Sequence, residues 1–178
     1  MIYVAFLRGI NVGGNSKVDM KRLKELFEKA GHTNVSTYIN SGNVIFESSE
    51  SPEELTKDLE KEIEKEFGFY VKVLVKSLSQ IKSIINDLPD SWKNDTEMKC
   101  DVMLLWEGVD KKEVLEELVI MPGVDNVKYS KGAVLWSVNR KNTTKSKIPK
   151  LIGTKLYKEM TIRNCNTIRK LYDLMSAL

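Results

Sequence analysis

The sequence holds one histidine, two cysteines and four prolines in 178 residues. A lone histidine, His32, cannot supply a multi-histidine zinc site, and Cys100 and Cys165 stand far apart without a CxxC pair. That excludes a disulfide framework and indicates a reducing compartment. A Ser-His-Asp arrangement would have to use His32, whose place just after a helix-ending glycine reads as a surface position. No run approaches the roughly 18 apolar residues of a membrane helix. The N-terminal run MIYVAFL is short and has no basic region before it, so it does not read as a signal peptide. Net charge is also low, at +3, too small by itself to argue for nucleic acid. Cytoplasmic location is the default these absences leave.

What is present is a regular alternation of elements. MIYVAFL reads as a buried strand. Asp19 can N-cap a helix from about Met20 to Ala30, with Leu23, Leu26, Phe27 and Ala30 as its apolar stripe and Gly31 as its stop. VSTYI and VIFES form a hairpin across Asn40-Ser41-Gly42-Asn43. Ser51-Pro52-Glu53-Glu54 is a capping box opening a helix to about Glu66, and VKVLVK is a fourth strand. Ser77 and Gln80 open a further helix that ends before Pro89, and PDSWKNDTEM reads as a linker.

The pattern then restarts. CDVMLLW is a strand, and Asp110 with Glu113 caps a helix to about Ile120. NVKYS and AVLWSV pair over Lys131-Gly132. A helix from about Lys147 to Lys158, a short strand from Thr161 to Arg163 and a terminal helix complete the chain. The predicted fold is α+β, two tandem ferredoxin-like β-α-β-β-α-β repeats with antiparallel sheets and an added C-terminal helix. The expected divisions are residues 1–76, a helix and linker at 77–98, and residues 99–178.

The two halves align weakly. SGNVIF at Ser41 matches KGAVLW at Lys131 with an offset of 90, whereas Arg8-Gly9-Ile10 matches Glu107-Gly108-Val109 with an offset of 99. The first connection is therefore about nine residues longer in the N-terminal half, and the surplus is essentially NVGGNSKVD. The shorter copy shows that folding does not need that length. Charge is also polarised: Asn139 to Lys158 carries seven basic residues and no acidic one, while Pro52 to Phe67 carries seven acidic residues.

Gly9, Gly13 and Gly14 permit positive φ, so successive N–H groups can converge on an anion, with Arg8 and Lys17 flanking them. A P-loop would need Lys-Ser/Thr after Gly14, where Asn15-Ser16 stands, and no G-x-G-x-x-G occurs. The candidate ligand-binding residues are Arg8, Asn11, Gly13, Gly14, Asn15 and Lys17, with Ser41 and Asn43 on the hairpin. In the second half they are Arg140, Lys145, Lys147 and Arg163, the cations interleaved with Thr143, Thr144 and Ser146, which suits phosphate. Aromatic interleaving is absent, against a stacking platform. Asn164 reads as the N-cap of the last helix. Cys165 begins that helix, where a thiol pKa is lowered, yet no base partner is visible for catalysis.

Four stretches taken together, LRGINVGGNSKVDMKRLKELFEKAG, TYINSGNVIFES, KSKIPKLIG and TIRNCNTIRKL, closely resemble a bacterial family, domain of unknown function 1697. The resemblance covers essentially the whole chain and implies two ferredoxin-like repeats, but no activity. Its recurrent positions fall here on Arg8, Gly9, Asn11, Gly13, Gly14 and Lys17, on Ser41, Gly42 and Asn43, and on Lys147, Pro149, Arg163, Asn164 and Asn166. One departure is Cys165, where the family usually has tryptophan.

The leading reading is an anion-binding module for nucleic acid or a nucleotide. The alternatives are an enzyme acting on a phosphorylated small molecule, so enzymatic activity stays open, and a protein-interaction scaffold. No cofactor, metal or membrane partner is expected, and monomer and dimer both remain open. In such a repeat the loops after the first and third strands are expected at one edge of the sheet and the hairpin at the other. The Gly-rich loop and the Asn40–Asn43 turn would then meet only through packing between repeats.

Overall fold

The structure, a computed structural model, describes residues 1–14 and 16–178. It forms two compact units, Met1–Ser79 with Leu171–Leu178, and Gln80–Lys170. In the first, β1 (Ile2–Leu7), α1 (Met20–Lys29), β2 (Thr33–Tyr38), β3 (Asn43–Glu47), α2 (Pro52–Phe67) and β4 (Val73–Ser77) follow in order. The strands make an antiparallel sheet in the order β2-β3-β1-β4.

Local chemistry sets these boundaries. The Asp19 side chain accepts from Arg22 N at 2.8 Å and begins α1, and Gly31 beyond its end has φ +92°. Ser51 and Glu54 exchange their capping hydrogen bonds at the start of α2. Both helices cover one sheet face: Leu23, Leu26 and Phe27 of α1 and Leu55, Leu59 and Ile63 of α2 share a core with Tyr3, Ala5, Leu7, Val44, Phe46, Val73 and Val75. Val4, Phe6, Ile45 and Leu74, the alternate strand residues, are buried as well. That is why β1 reads as a continuous apolar run.

His32 is buried rather than on the surface. Its ring lies 5.0 Å from that of Phe46 and 6.0 Å from that of Phe27, closing the end of the core below α1. Burial pushes the imidazole below its ordinary pKa, with the Glu50 carboxylate opposing. The unfolded chain therefore takes up the proton first as pH falls. The stability this neutral histidine contributes is present above about pH 6.5 and is lost as pH drops toward the depressed native value. The expected result is a urea midpoint that declines from pH 7 to pH 5 in the wild-type chain and much less in His32→Gln. A wild-type midpoint flat across that window would refute the assignment.

In the second unit, α3 (Leu78–Asp87), whose first two residues belong to the first unit, leads to β5 (Met98–Leu105), β6 (Asp125–Ser130) and β7 (Ala133–Asn139). Then come the four-residue α4 (Lys155–Lys158), β8 (Met160–Asn164) and α5 (Cys165–Ser176), whose C-terminal residues belong to the first unit. The sheet order is β6-β7-β5-β8, again antiparallel. Its core joins Met103, Leu105, Val134, Trp136 and Val138 to Val114, Ile148, Leu151 and Leu156. Asn164 Oδ1 accepts from Thr167 N at 2.9 Å, the expected cap of α5.

Two predicted helices are replaced. Between β5 and β6 the chain forms two 3-10 segments, Glu107–Val109 and Lys112–Glu117, instead of an α-helix capped by Asp110. The Asp110 carboxylate is used elsewhere: it accepts from Tyr129 OH at 2.9 Å and from Gly132 N at 2.7 Å, latching the β6–β7 hairpin. The segment from Lys147 to Lys158 is likewise broken, into a 3-10 turn at Ile148–Leu151 and the short α4. Gly153 at φ +91° ends the first piece, and Thr154 caps the second.

Candidate functional site

β1 ends between two partners. Leu7 N donates to Gly42 O at 2.8 Å, and Arg8 N donates to Lys72 O at 3.0 Å. Beyond this point the chain leaves the sheet and is gathered by one side chain. Asn11 Nδ2 donates to Val18 O at 3.0 Å and to Asn40 O at 2.9 Å, while Asn11 Oδ1 accepts from Val18 N at 2.9 Å. Asn11 N also donates to Ser16 O at 3.1 Å. The described residues between Asn11 and Val18 thus belong to a loop closed at its neck. Asn15, one of the expected ligand residues, lies outside the described residues.

Positive φ is concentrated here: Gly9 at +72°, Asn11 at +55°, Gly13 at +60°, Gly14 at +81° and Ser16 at +51°. A Cβ at Gly9, Gly13 or Gly14 would meet nothing within 4 Å. Their glycine character therefore serves backbone conformation in an open surface loop, not close packing. Val12, Gly13, Gly14, Ser16 and Lys17 are exposed, and Arg8 is half-buried at the base.

The Asn40–Asn43 turn lies against this loop within the same unit. The expectation that they occupy opposite edges is wrong. β1 and β3 are antiparallel neighbours with Phe6 opposite Asn43, so the end of β1 adjoins the start of β3, where the hairpin turns. Asn40 lends its carbonyl to Asn11. Asn43 is fully buried, and its Nδ2 donates to Tyr38 O at 3.0 Å and to Ser41 Oγ at 2.9 Å. Asn11 and Asn43 therefore position backbone, whereas Ser41 is half-buried at the surface of the turn. Beside it Ile39, 50% exposed, holds φ +50°, a conformation that is an outlier for a β-branched residue.

The basic segment of the second unit is more committed than its composition suggests. Arg140 Nε donates to Asp95 O at 2.5 Å, and its Nη2 donates to Asn94 Oδ1 at 3.2 Å. Thr143 Oγ1 donates to Arg140 O at 2.8 Å, and the buried Ser146 accepts from Ile148 N. Arg163 is buried on β8, donating to Thr161 Oγ1 and Ile162 O at 2.9 Å each; burial lowers its pKa to about 10. Lys145 and Lys150 are exposed, and Lys147 is half-buried. Of the four cations expected from this half, the two lysines reach solvent, while the two arginines hold neighbouring backbone.

A feature the sequence reading missed is a groove of about 550 Å³ between α1 and α2, crossed by the Arg22–Glu66 ion pair at 2.6 Å. Its lining mixes Arg22, Lys29, Lys61 and Lys65 with Glu25, Glu50, Asp58, Glu62 and Glu66, four basic residues against five acidic ones, so neither sign of ligand is strongly favoured. Among the described residues no group of three or more His, Cys, Asp or Glu could hold a metal ion. Among them, too, no helix is long and apolar enough to cross a membrane.

A family model described as "Protein of unknown function (DUF1697)" matches residues 1–136. A solved structure of the conserved bacterial protein SP0830 from Streptococcus pneumoniae is similar along the whole length: 29% identity, 98% of each chain covered and a TM-score of 0.84. No curated protein matches the chain.

Proposed function

Since the chain belongs to the DUF1697 family of proteins of unknown function, its role has to be argued from the site, and we propose a cytoplasmic anion-binding module. Its ligand is the phosphate of a nucleic acid or nucleotide, held at the loop between β1 and α1. The observation carrying this reading is the positive φ of Gly9, Asn11, Gly13, Gly14 and Ser16 in a loop tied at its neck by Asn11. Such a backbone turns N–H groups toward a common point without a side chain in the way. Arg8 at the base and Lys17 at the rim add formal charge, and Ser41 adds a hydroxyl from the adjoining turn. Separately, the second unit offers its own cationic surface for phosphate at Lys145 and Lys147. We infer as well that both units are ferredoxin-like repeats, a reading supported by the strand orders β2-β3-β1-β4 and β6-β7-β5-β8.

The test is fluorescence anisotropy with short single- and double-stranded RNA and DNA at low and near-physiological salt. Binding should weaken with a log–log slope of about −0.9 per phosphate neutralised in duplex DNA. Lys17→Ala and Lys145→Ala should each flatten that slope by about one unit. A chain that ignores every oligonucleotide at low salt, and is not stabilised thermally by nucleotides or sugar phosphates, would refute the proposal. Stabilisation by the small phosphates alone would redirect it to an enzyme or carrier of phosphorylated metabolites.

A further inference from the structure

Cys100 and Cys165, remote in sequence, are brought together inside the second unit. β5 and β8 pair with Asp101 opposite Asn164; Cys100 and Cys165 adjoin that pair on the two chains, Cys165 as the first residue of α5. The opposed pair Asp101 and Asn164 has Cα atoms about 4.5–5.5 Å apart, so the two cysteines next to it lie near the roughly 4.4–6.8 Å that a disulfide spans. The two side chains are close enough for each to be the largest influence on the other's pKa. Both thiols are free and fully buried.

The two sulfurs are not equivalent. Cys165 stands in the first turn of α5, and Arg169 Nη1 lies 3.5 Å from its Sγ. The Cys100 hydrogen bond, and then the Arg169 guanidinium, lower the Cys165 pKa; Cys100 is pushed up by the same hydrogen bond and by burial. Over them lies a strap of chain from Pro89 to Asp95. Cys165 Sγ donates to Trp92 O at 3.7 Å, and Arg169 donates to Trp92 O at 2.8 Å and Pro89 O at 2.9 Å. Asn166 Nδ2 donates to Asn94 O at 2.8 Å, and Arg140 grips Asn94 and Asp95 from the other side.

We propose that Cys100 and Cys165 are an oxidative modification site, closing reversibly to an intramolecular disulfide when the strap opens to a hydroperoxide. The Cys165 thiolate attacks the terminal peroxide oxygen. The O–O bond breaks, the alcohol or water leaves, and Cys165 becomes a sulfenic acid. The Cys100 sulfur then attacks the Cys165 sulfur, the S–O bond breaks, and water departs with the Cys100 proton. The two sulfurs together lose two electrons, the peroxide gains them, and a dithiol reductant reverses the result.

The experiment treats the native full-length chain with hydrogen peroxide, then alkylates in denaturant and measures intact mass and peptides. Both thiols should be lost together, with a mass decrease of two hydrogen atoms, a linked Cys100–Cys165 peptide pair and recovery in dithiothreitol. Asn166→Ala, which removes both hydrogen bonds to Asn94 on the strap as well as a contact with Cys165 Sγ, should speed closure by at least about fivefold, the worth of one hydrogen bond. The same peroxide treatment applied to the urea-unfolded chain is the control. If that control oxidises while both native thiols remain alkylatable, the site does not exist. Cys165 carried to sulfinic acid with Cys100 intact would overturn the pairing equally, and an unchanged rate in Asn166→Ala would overturn the role of the strap.

Discussion

Gly42→Ala is expected to destabilise the first unit by about 3 kcal/mol, the largest effect of any glycine replacement in the loop and turn region. Two costs combine. At φ +76° an alanine sits in the left-handed region, which costs roughly 1 kcal/mol or more. Its Cβ would also stand 2.7 Å from Ile10 Cδ1 and 2.8 Å from Leu7 Cβ. Leu7 is a fully buried strand residue bonded through its own N–H to Gly42 O, so it cannot retreat. Overpacking of this kind costs about 1–3 kcal/mol. Gly13→Ala is the matched comparison, with φ +60° and nothing within 4 Å of the new Cβ. It should lose only the conformational part, about 1 kcal/mol. Urea unfolding of the two variants separates the costs, and equal losses would refute the packing argument.

What was legible in the sequence follows the range of the interactions. Asp19 and Gly31 bracket α1 by contacts no more than a few residues long, and Ser51 with Glu54 opens α2 in the same way. The glycine excess after β1 was legible too, because the shorter second connection supplied an internal standard. Asp110 misled because its carboxylate faces two equally plausible partners, a helix start and a hairpin, and the hairpin holds it through Tyr129 and Gly132. Burial and that same carboxylate push the Tyr129 phenol up to about 12. The break at Gly153-Thr154 was present in the sequence as a stop followed by a cap, overridden by the apolar spacing around it.

The meeting of loop and turn, by contrast, is a consequence of strand order. Once β1 and β3 are antiparallel neighbours, the end of one must adjoin the start of the other. The Cys100–Cys165 contact depends further on the register of β5 against β8, which no local signal specifies.

Asn11→Ala should cost about 2–3 kcal/mol and remove anion binding with it. An asparagine tolerates φ +55° because its short amide bonds locally, whereas alanine carries the left-handed penalty of roughly 1 kcal/mol. The amide also makes three hydrogen bonds to backbone, at 2.9–3.0 Å, that join the loop neck to the hairpin turn. Each contributes on the order of 0.5–1.5 kcal/mol, and the exposed setting lets water replace part of that. Asn11→Asp separates the two functions. Aspartate keeps the acceptor for Val18 N but has no Nδ2, so the ties to Val18 O and Asn40 O are both lost and a negative charge enters the neck. Stability should fall less than in the alanine variant, while affinity for a phosphate should fall as much or more, through repulsion. Thermal unfolding together with anisotropy reads both quantities on the same samples. If Asn11→Ala kept wild-type affinity despite the stability loss, the closed neck would be a folding device and the anion site would have to lie elsewhere.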